Sequence, residues 1–239
     1  MSKRSTKKSS IASFLIGILV LGCTYFYNTY FSTEAYAPSA QNVGDVPVFS
    51  ENSYIELNGN VPYFTEEDYV LEGFETYAEL DSLGRVGVAY ANICEDIMPT
   101  GKRESISEVI PTGWVNKKYS DIIKDGGYLY NRCHLIGYQL AGENANEQNL
   151  MTGTRYLNIE GMLPFEDMID DYIEENPNNH VLYRVTPIFD GNNLVADGVT
   201  MEGYSIEDNG AGVKFNVYAY NVQPGIDIDY STGENSPAK

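Results

Sequence analysis

An α+β fold, built as a central antiparallel sheet with few helices, is what the order of patterns along this chain predicts. Two observations carry that expectation. Runs rich in β-branched and aromatic residues, punctuated by Gly, Asn and Asp turns, dominate the chain and close it with three consecutive strand patterns. Helical periodicity is clear over one segment, Leu163 to Glu175.

The elements come in chain order. Lys3, Arg4, Lys7 and Lys8 precede an uncharged run from Ile11 to Phe31, long enough for a bilayer core, which takes about 20 residues. Three readings fit residues 1–31: a membrane anchor with its N-terminus in the cytoplasm, a cleaved signal peptide, or a lipoprotein signal with Cys23 of Val20-Leu21-Gly22-Cys23 as the lipidated residue. All three export the rest of the chain, to the outer face of the membrane or beyond. Residues 32–53 lack periodicity and read as a linker. Residues 54–225 are long enough for one well-cored domain, and the acidic tail 226–239 is expected to fray.

Within the domain, Tyr54–Leu57 and Val61–Phe64 flank Asn58-Gly59-Asn60 and predict a hairpin. Thr65-Glu66-Glu67-Asp68 reads as a capped helix start. Gly84–Ile93 is a strand pattern, and Met98–Lys118, with two prolines and two glycines, an irregular loop. Met162, Phe165, Met168, Ile169, Tyr172 and Ile173 form one face of the predicted helix, opposite a row of acidic residues, and Pro164 suits its first turn. Val181–Phe189, Leu194–Met201 and Val213–Val222 are the three closing strands, with turns at Asp190–Asn193 and Asp208–Gly212.

Chemistry concentrates at Asn131-Arg132-Cys133-His134. The chain has two histidines, and one stands two residues behind an arginine. Imidazole can act as a base near neutral pH, and a guanidinium is shaped to hold phosphate oxygens. On an alternating strand, Arg132 and His134 share a face. Downstream come Asn158 and Glu166, oxygen donors of the kind a hard divalent cation takes. On one continuous α-helix those two would stand about 12 Å apart. Either Asn158 precedes the helix, or Glu166 acts through the water around the cation.

The stretch from Tyr130-Asn131-Arg132-Cys133-His134-Leu135-Ile136-Gly137 to Asn149-Leu150-Met151-Thr152-Gly153-Thr154-Arg155-Tyr156-Leu157-Asn158 resembles the DNA/RNA non-specific endonucleases of the ββα-metal (His-Me finger) class. More narrowly it resembles the Gram-positive DNA-entry nuclease and streptodornase group, over about Tyr54 to Gly225. Asn131 and Cys133 depart from the usual Asp-Arg-Gly-His signature, and the arginine and histidine are kept. The resemblance implies a ββα-metal finger set on the central sheet, with His134 as general base and Asn158 as the protein ligand of Mg²⁺, or of Mn²⁺. It further implies Glu166 beside the hydrated metal, Asn149 as a finger asparagine, Arg132 as the motif arginine and Arg103 as a second phosphate-holding arginine. Arg155 is a further candidate substrate contact. DNA, and RNA as well, would be cut to 5′-phosphate and 3′-hydroxyl ends.

Charge speaks against one mode of binding. The chain carries −19, and residues 1–31 contribute +4, so the remainder carries −23. That sign argues against tight, non-specific coating of DNA and leaves room for a local positive cleft. Three cysteines make no disulfide scaffold, though Cys94 and Cys133 could pair in an exported domain. With no Cys-x-x-Cys and no histidine cluster, a structural zinc site is not expected. Two rival functions remain at this level: a surface adhesion module built on twenty tyrosines, and an inactive relative that binds DNA without cutting it.

Overall fold

The computed structural model describes residues 39–124 and 126–239. The predicted architecture is present: a mostly antiparallel seven-stranded sheet with few helices. Its strands are β1 (Ser39–Ala40), β2 (Tyr54–Leu57), β3 (Phe74–Tyr77), β4 (Ala89–Ile93), β7 (Val181–Ile188), β8 (Gly198–Ser205) and β9 (Lys214–Tyr220), in the order β1-β2-β9-β8-β7-β4-β3. Only the β1–β2 pair is parallel. Two hairpins stand apart, β5 (Tyr130–His134) with β6 (Leu150–Thr154), and β10 (Ile226–Ile228) with β11 (Asn235–Pro237).

One helix covers the sheet. The helix α2 (Leu163–Glu175) comes after a single turn, α1 (Tyr138–Ala141), and its bounds are those its periodicity predicts. Phe165, Ile169 and Ile173 are buried with Tyr183, Val185, Met201, Phe215 and Val217 from the sheet. The Phe165 ring meets Tyr54 edge-on at 4.9 Å and Phe215 at 4.8 Å. Each buried aromatic or branched side chain of this kind contributes about 1.5–3 kcal/mol. The opposite edge of α2 stays acidic and wet.

Several elements differ from the sequence reading, each for a local reason. Val61–Phe64 forms no hairpin with β2. Asn58, Gly59 and Asn60 all have positive φ (49°, 61°, 61°), three left-handed residues in a row where a two-residue hairpin turn has two. The free edge of β2 pairs with β9 instead, and Val61 is tied down through its carbonyl by Asn58 and Asn216. Thr65 begins only one 3-10 turn, Glu66–Asp68, where the Asp68 carboxylate takes the Thr65 backbone N–H at 2.7 Å and its hydroxyl at 3.1 Å. The strand predicted at Leu194–Met201 starts at Gly198, because the Leu194 and Val195 N–H groups both donate to the Tyr230 carbonyl.

The ends of the domain are also better ordered than composition suggests. Part of the expected linker belongs to the fold: Ala40 is buried, and Phe49 packs edge-on against Tyr156 and Tyr220. The tail expected to fray forms β10 and β11. Asn235 anchors it, donating to the carbonyls of Val115 and Gly233 and accepting the Tyr119 hydroxyl. Cys94 and Cys133 are both free and buried. Among the described residues no helix is long and apolar enough to cross a membrane; the Ile11–Phe31 run lies outside them.

Candidate active site

The β5–β6 hairpin sets the site's register. His134 pairs with Leu150, Arg132 with Thr152, and Tyr130 with Thr154. Asn149 fixes the open end of the hairpin: its buried side chain accepts the N–H groups of Leu135 and Ile136 and donates to the Ile136 carbonyl. Three hydrogen bonds from one fully buried amide make Asn149 a clamp for the backbone behind His134. It touches none of the reacting groups.

β6 runs directly into helix, so the hairpin, interrupted only by the single turn α1, is followed by a helix. Arg155 and Tyr156 open the helical stretch, Leu157–Met162 is a π-helical turn, and α2 comes next. Proline explains the wide turn. Pro164 has no N–H to give and would press on the Glu160 carbonyl in a regular α-helix. That carbonyl instead accepts the Ser53 hydroxyl at 2.8 Å. Asn158 therefore lies inside the helical stretch rather than ahead of it, at a π turn of the kind found at functional sites.

His134 is buried, with 6% exposure. Its Nε2 lies 2.9 Å from the Asn144 carbonyl, which can only accept, so Nε2 carries the hydrogen. Nδ1 is left as the basic nitrogen, and Arg103 Nη2 stands 3.4 Å from it. Burial holds the imidazole's pKa down to about 4; the Asn144 bond opposes this and the Arg103 charge adds to it. The ring is thus neutral and proton-accepting at neutral pH.

Glu166 is buried on the first turn of α2, against Gly137. A Cβ at Gly137 would lie 3.0 Å from the carboxyl carbon and both oxygens, so any side chain there would push the carboxyl aside, and the Gly137 N–H acts on the carboxyl from close range. Burial pushes the carboxyl up to about 8, the neighbouring Asp167 charge raises it further, and Gly137 and Arg103 pull the other way. Arg103 therefore lies within electrostatic reach of both His134 and Glu166.

Asn158 is held by Cys133, one of the two residues that depart from the family signature. The Cys133 thiol, buried and pushed far above the usual thiol range, donates to Asn158 Oδ1 at 3.1 Å. Across the hairpin, Gly153 makes room for it: a Cβ there would lie 2.6 Å from the Cys133 Cβ. Arg132 spends its guanidinium differently from the sequence expectation. It donates to the carbonyls of Ser107 and Val109 and lies over the Trp114 ring at 4.4 Å, pinning the preceding loop. A groove of about 350 Å³ joins Arg103, Asn131, Arg132 and Asn158 to Trp114 and Tyr128. Arg155 does not line it; its backbone N–H bonds the Leu129 carbonyl.

The donor set suits a hard cation that keeps most of its water. Among the described residues no three His, Cys, Asp or Glu side chains converge. The oxygens present are one neutral amide, Asn158 Oδ1, and the Glu166 carboxyl. A fully caged ion would need more, whereas a hydrated Mg²⁺ is commonly held by one or two protein oxygens.

The sequence pattern of DNA/RNA non-specific endonucleases matches residues 65–207, more than half the chain. The chain belongs to that family. A deoxyribonuclease of Streptococcus dysgalactiae subsp. equisimilis is 27% identical over 129 residues, 52% of this chain and 36% of that protein. The match thus spans about a third of that relative's length. NucA from Streptococcus agalactiae, solved without metal and with magnesium bound, superposes with a TM-score of 0.68 at 26% identity, over 82% of this chain and 92% of NucA. The Sda1 nuclease with bound zinc gives 0.67 at 26% identity, over 78% of this chain and 97% of Sda1. Neighbouring structures of this fold thus hold a divalent ion, magnesium in one and zinc in the other.

Proposed function

We propose that this chain is an exported, divalent-metal-dependent endonuclease that hydrolyses phosphodiester bonds of DNA, and of RNA as well, leaving 5′-phosphate and 3′-hydroxyl ends. One observation carries the reading: the Nδ1 lone pair of a neutral, buried His134 faces a guanidinium beside the groove that holds Asn158. The membrane-anchored or secreted location rests on residues 1–31, and a Gram-positive origin agrees with the streptococcal relatives.

The chemistry arises from these placements. At 3.4 Å the Arg103–His134 contact is a weak hydrogen bond, readily exchanged when a phosphate draws the guanidinium to its own oxygens. Nδ1 then accepts a proton from a water molecule as its oxygen forms the new bond to phosphorus. The bond to the 3′ oxygen breaks in line, and that oxygen takes a proton from solvent. The Nε2–H bond to Asn144 steadies the imidazolium that results. Asn158 Oδ1 would hold Mg²⁺, or Mn²⁺, and Glu166 would bond its water; such an ion would supply charge stabilisation for the phosphate and the departing oxygen. Asn149 and Arg132 serve by holding the backbone and the loop.

Plasmid cleavage by the full chain, with Mg²⁺ or with EDTA, tests the reading. Nicking that requires the metal and falls on the order of 10²–10⁴-fold in His134→Ala is expected. An equally active His134→Ala protein would show that His134 is not the general base. A folded wild type inert with Mg²⁺, Mn²⁺ and Ca²⁺ would favour DNA binding without cleavage.

A further inference from the structure

Beside the reacting groups lies a second arrangement with a different chemistry. Residues 114–118 run antiparallel to residues 128–132. Lys118 pairs with Tyr128 as a β-bridge, and Asn116 imitates the next rung, its amide donating to the Tyr130 carbonyl and accepting the Tyr130 N–H, both at 2.9 Å. On either side of that clamp sits a cation–aromatic pair. Arg132 lies over Trp114 at 4.4 Å, and Lys118 over Tyr128 at 5.4 Å. Trp114 is half-buried, while Tyr128 is 54% exposed and lines the same groove as Arg103 and Asn158.

We infer that this shelf stacks an unpaired DNA base next to the phosphate taken by Arg103, so that the site accepts single or locally opened strands in preference to intact duplex. The inference rests on the nuclease reading and names the form of its substrate. Aromatic rings interleaved with cations are how sequence-indifferent proteins hold single strands, because every base offers a π face. Inside a duplex those faces are covered by neighbouring base pairs, so the Tyr128 ring has nothing to stack on. Charge sharpens the point. A chain at −23 beyond residue 31 cannot hold a strand by diffuse attraction, so its grip must come from a few local cations and from stacking.

Trp114 is the chain's one tryptophan, which makes its emission a reporter of the groove. Full chain in EDTA would be titrated with oligo-dT and with a duplex of equal length, reading Trp114 quenching. The expected result is stronger quenching and tighter binding with oligo-dT. Tyr128→Ala should weaken oligo-dT binding on the order of tenfold, with Tyr128→Phe close to wild type. A melting curve confirms that each variant is folded. Equal affinity for single strand and duplex, or undiminished oligo-dT binding by folded Tyr128→Ala, would overturn the shelf. The plasmid assay decides the hydrolase reading separately: a chain that cuts plasmid but fails these titrations loses the shelf alone.

Discussion

Arg103 Nη2 and His134 Nδ1 stand 3.4 Å apart, so one guanidinium covers the nitrogen that the proposed chemistry needs. Its charge also contributes to holding that nitrogen's pKa low, behind the larger effect of burial. Arg103→Gln should therefore do two things. It should lower kcat/KM on the order of 10²-fold through lost phosphate stabilisation. It should also move the acid limb of the pH–rate profile upward, because a cation that disfavours the imidazolium is gone. An acid limb that stays in place would separate Arg103 from His134 electrostatically.

The same histidine predicts a pH window for stability. Its folded pKa is about 4 against an unfolded value near 6.5, so the unfolded chain takes up the proton first as pH falls. This group's contribution is complete above pH 6.5 and is lost progressively down to about 4. Urea midpoints measured from pH 8 to 4 should fall in that interval, and His134→Gln should flatten that part of the curve.

Gly137 offers a clean steric test. Its φ of −57° suits any residue, so Gly137→Ala adds no backbone strain. The added methyl would meet the Glu166 carboxyl at 3.0 Å. Displacing that group should raise the Mg²⁺ concentration for half-maximal cleavage at least severalfold, while the melting temperature changes little. Wild-type metal dependence in Gly137→Ala would show that Glu166 has no part in metal handling.

Cys133 should behave as a holder of Asn158. Cys133→Ser keeps a donor and is expected to retain Mn²⁺ affinity, measured by calorimetry. Cys133→Ala removes the donor to Asn158 Oδ1 and should weaken binding severalfold. Cys133→Gly also leaves a cavity facing Gly153 and should cost about 1–2 kcal/mol of stability. Equal Mn²⁺ affinity in Ser and Ala variants would reduce the thiol to packing.

What could be read from the sequence was what short-range patterns determine. The α2 helix shows its own period and its own proline, and β7 and β9 are long enough for content to decide. His134 and Asn158 stand out by chemistry, a base behind an arginine and an oxygen donor downstream, and the resemblance to a family assigns their roles. Pairings decided elsewhere stayed hidden. β3 is a four-residue edge strand with a weak pattern, and β8 is displaced by a carbonyl on Tyr230. Arg132 and Arg103 illustrate the limit at the site itself: adjacency to His134 in sequence favoured the first, while the loop returning over the hairpin brings the second to the imidazole. No local signal marks Asn144, whose contribution is a backbone carbonyl.

The clasp made by the final hairpin has a kinetic meaning. Val115, Lys117 and Tyr119 are held by residues 116 to 120 positions downstream, at Asn235. Contacts of such separation close late, since the chain must lose the entropy of a very long loop before gaining them. The shelf beside the finger is therefore expected to assemble after the β7–β8–β9 meander, whose pairings are local, and refolding should regain that meander before it regains the Trp114 environment.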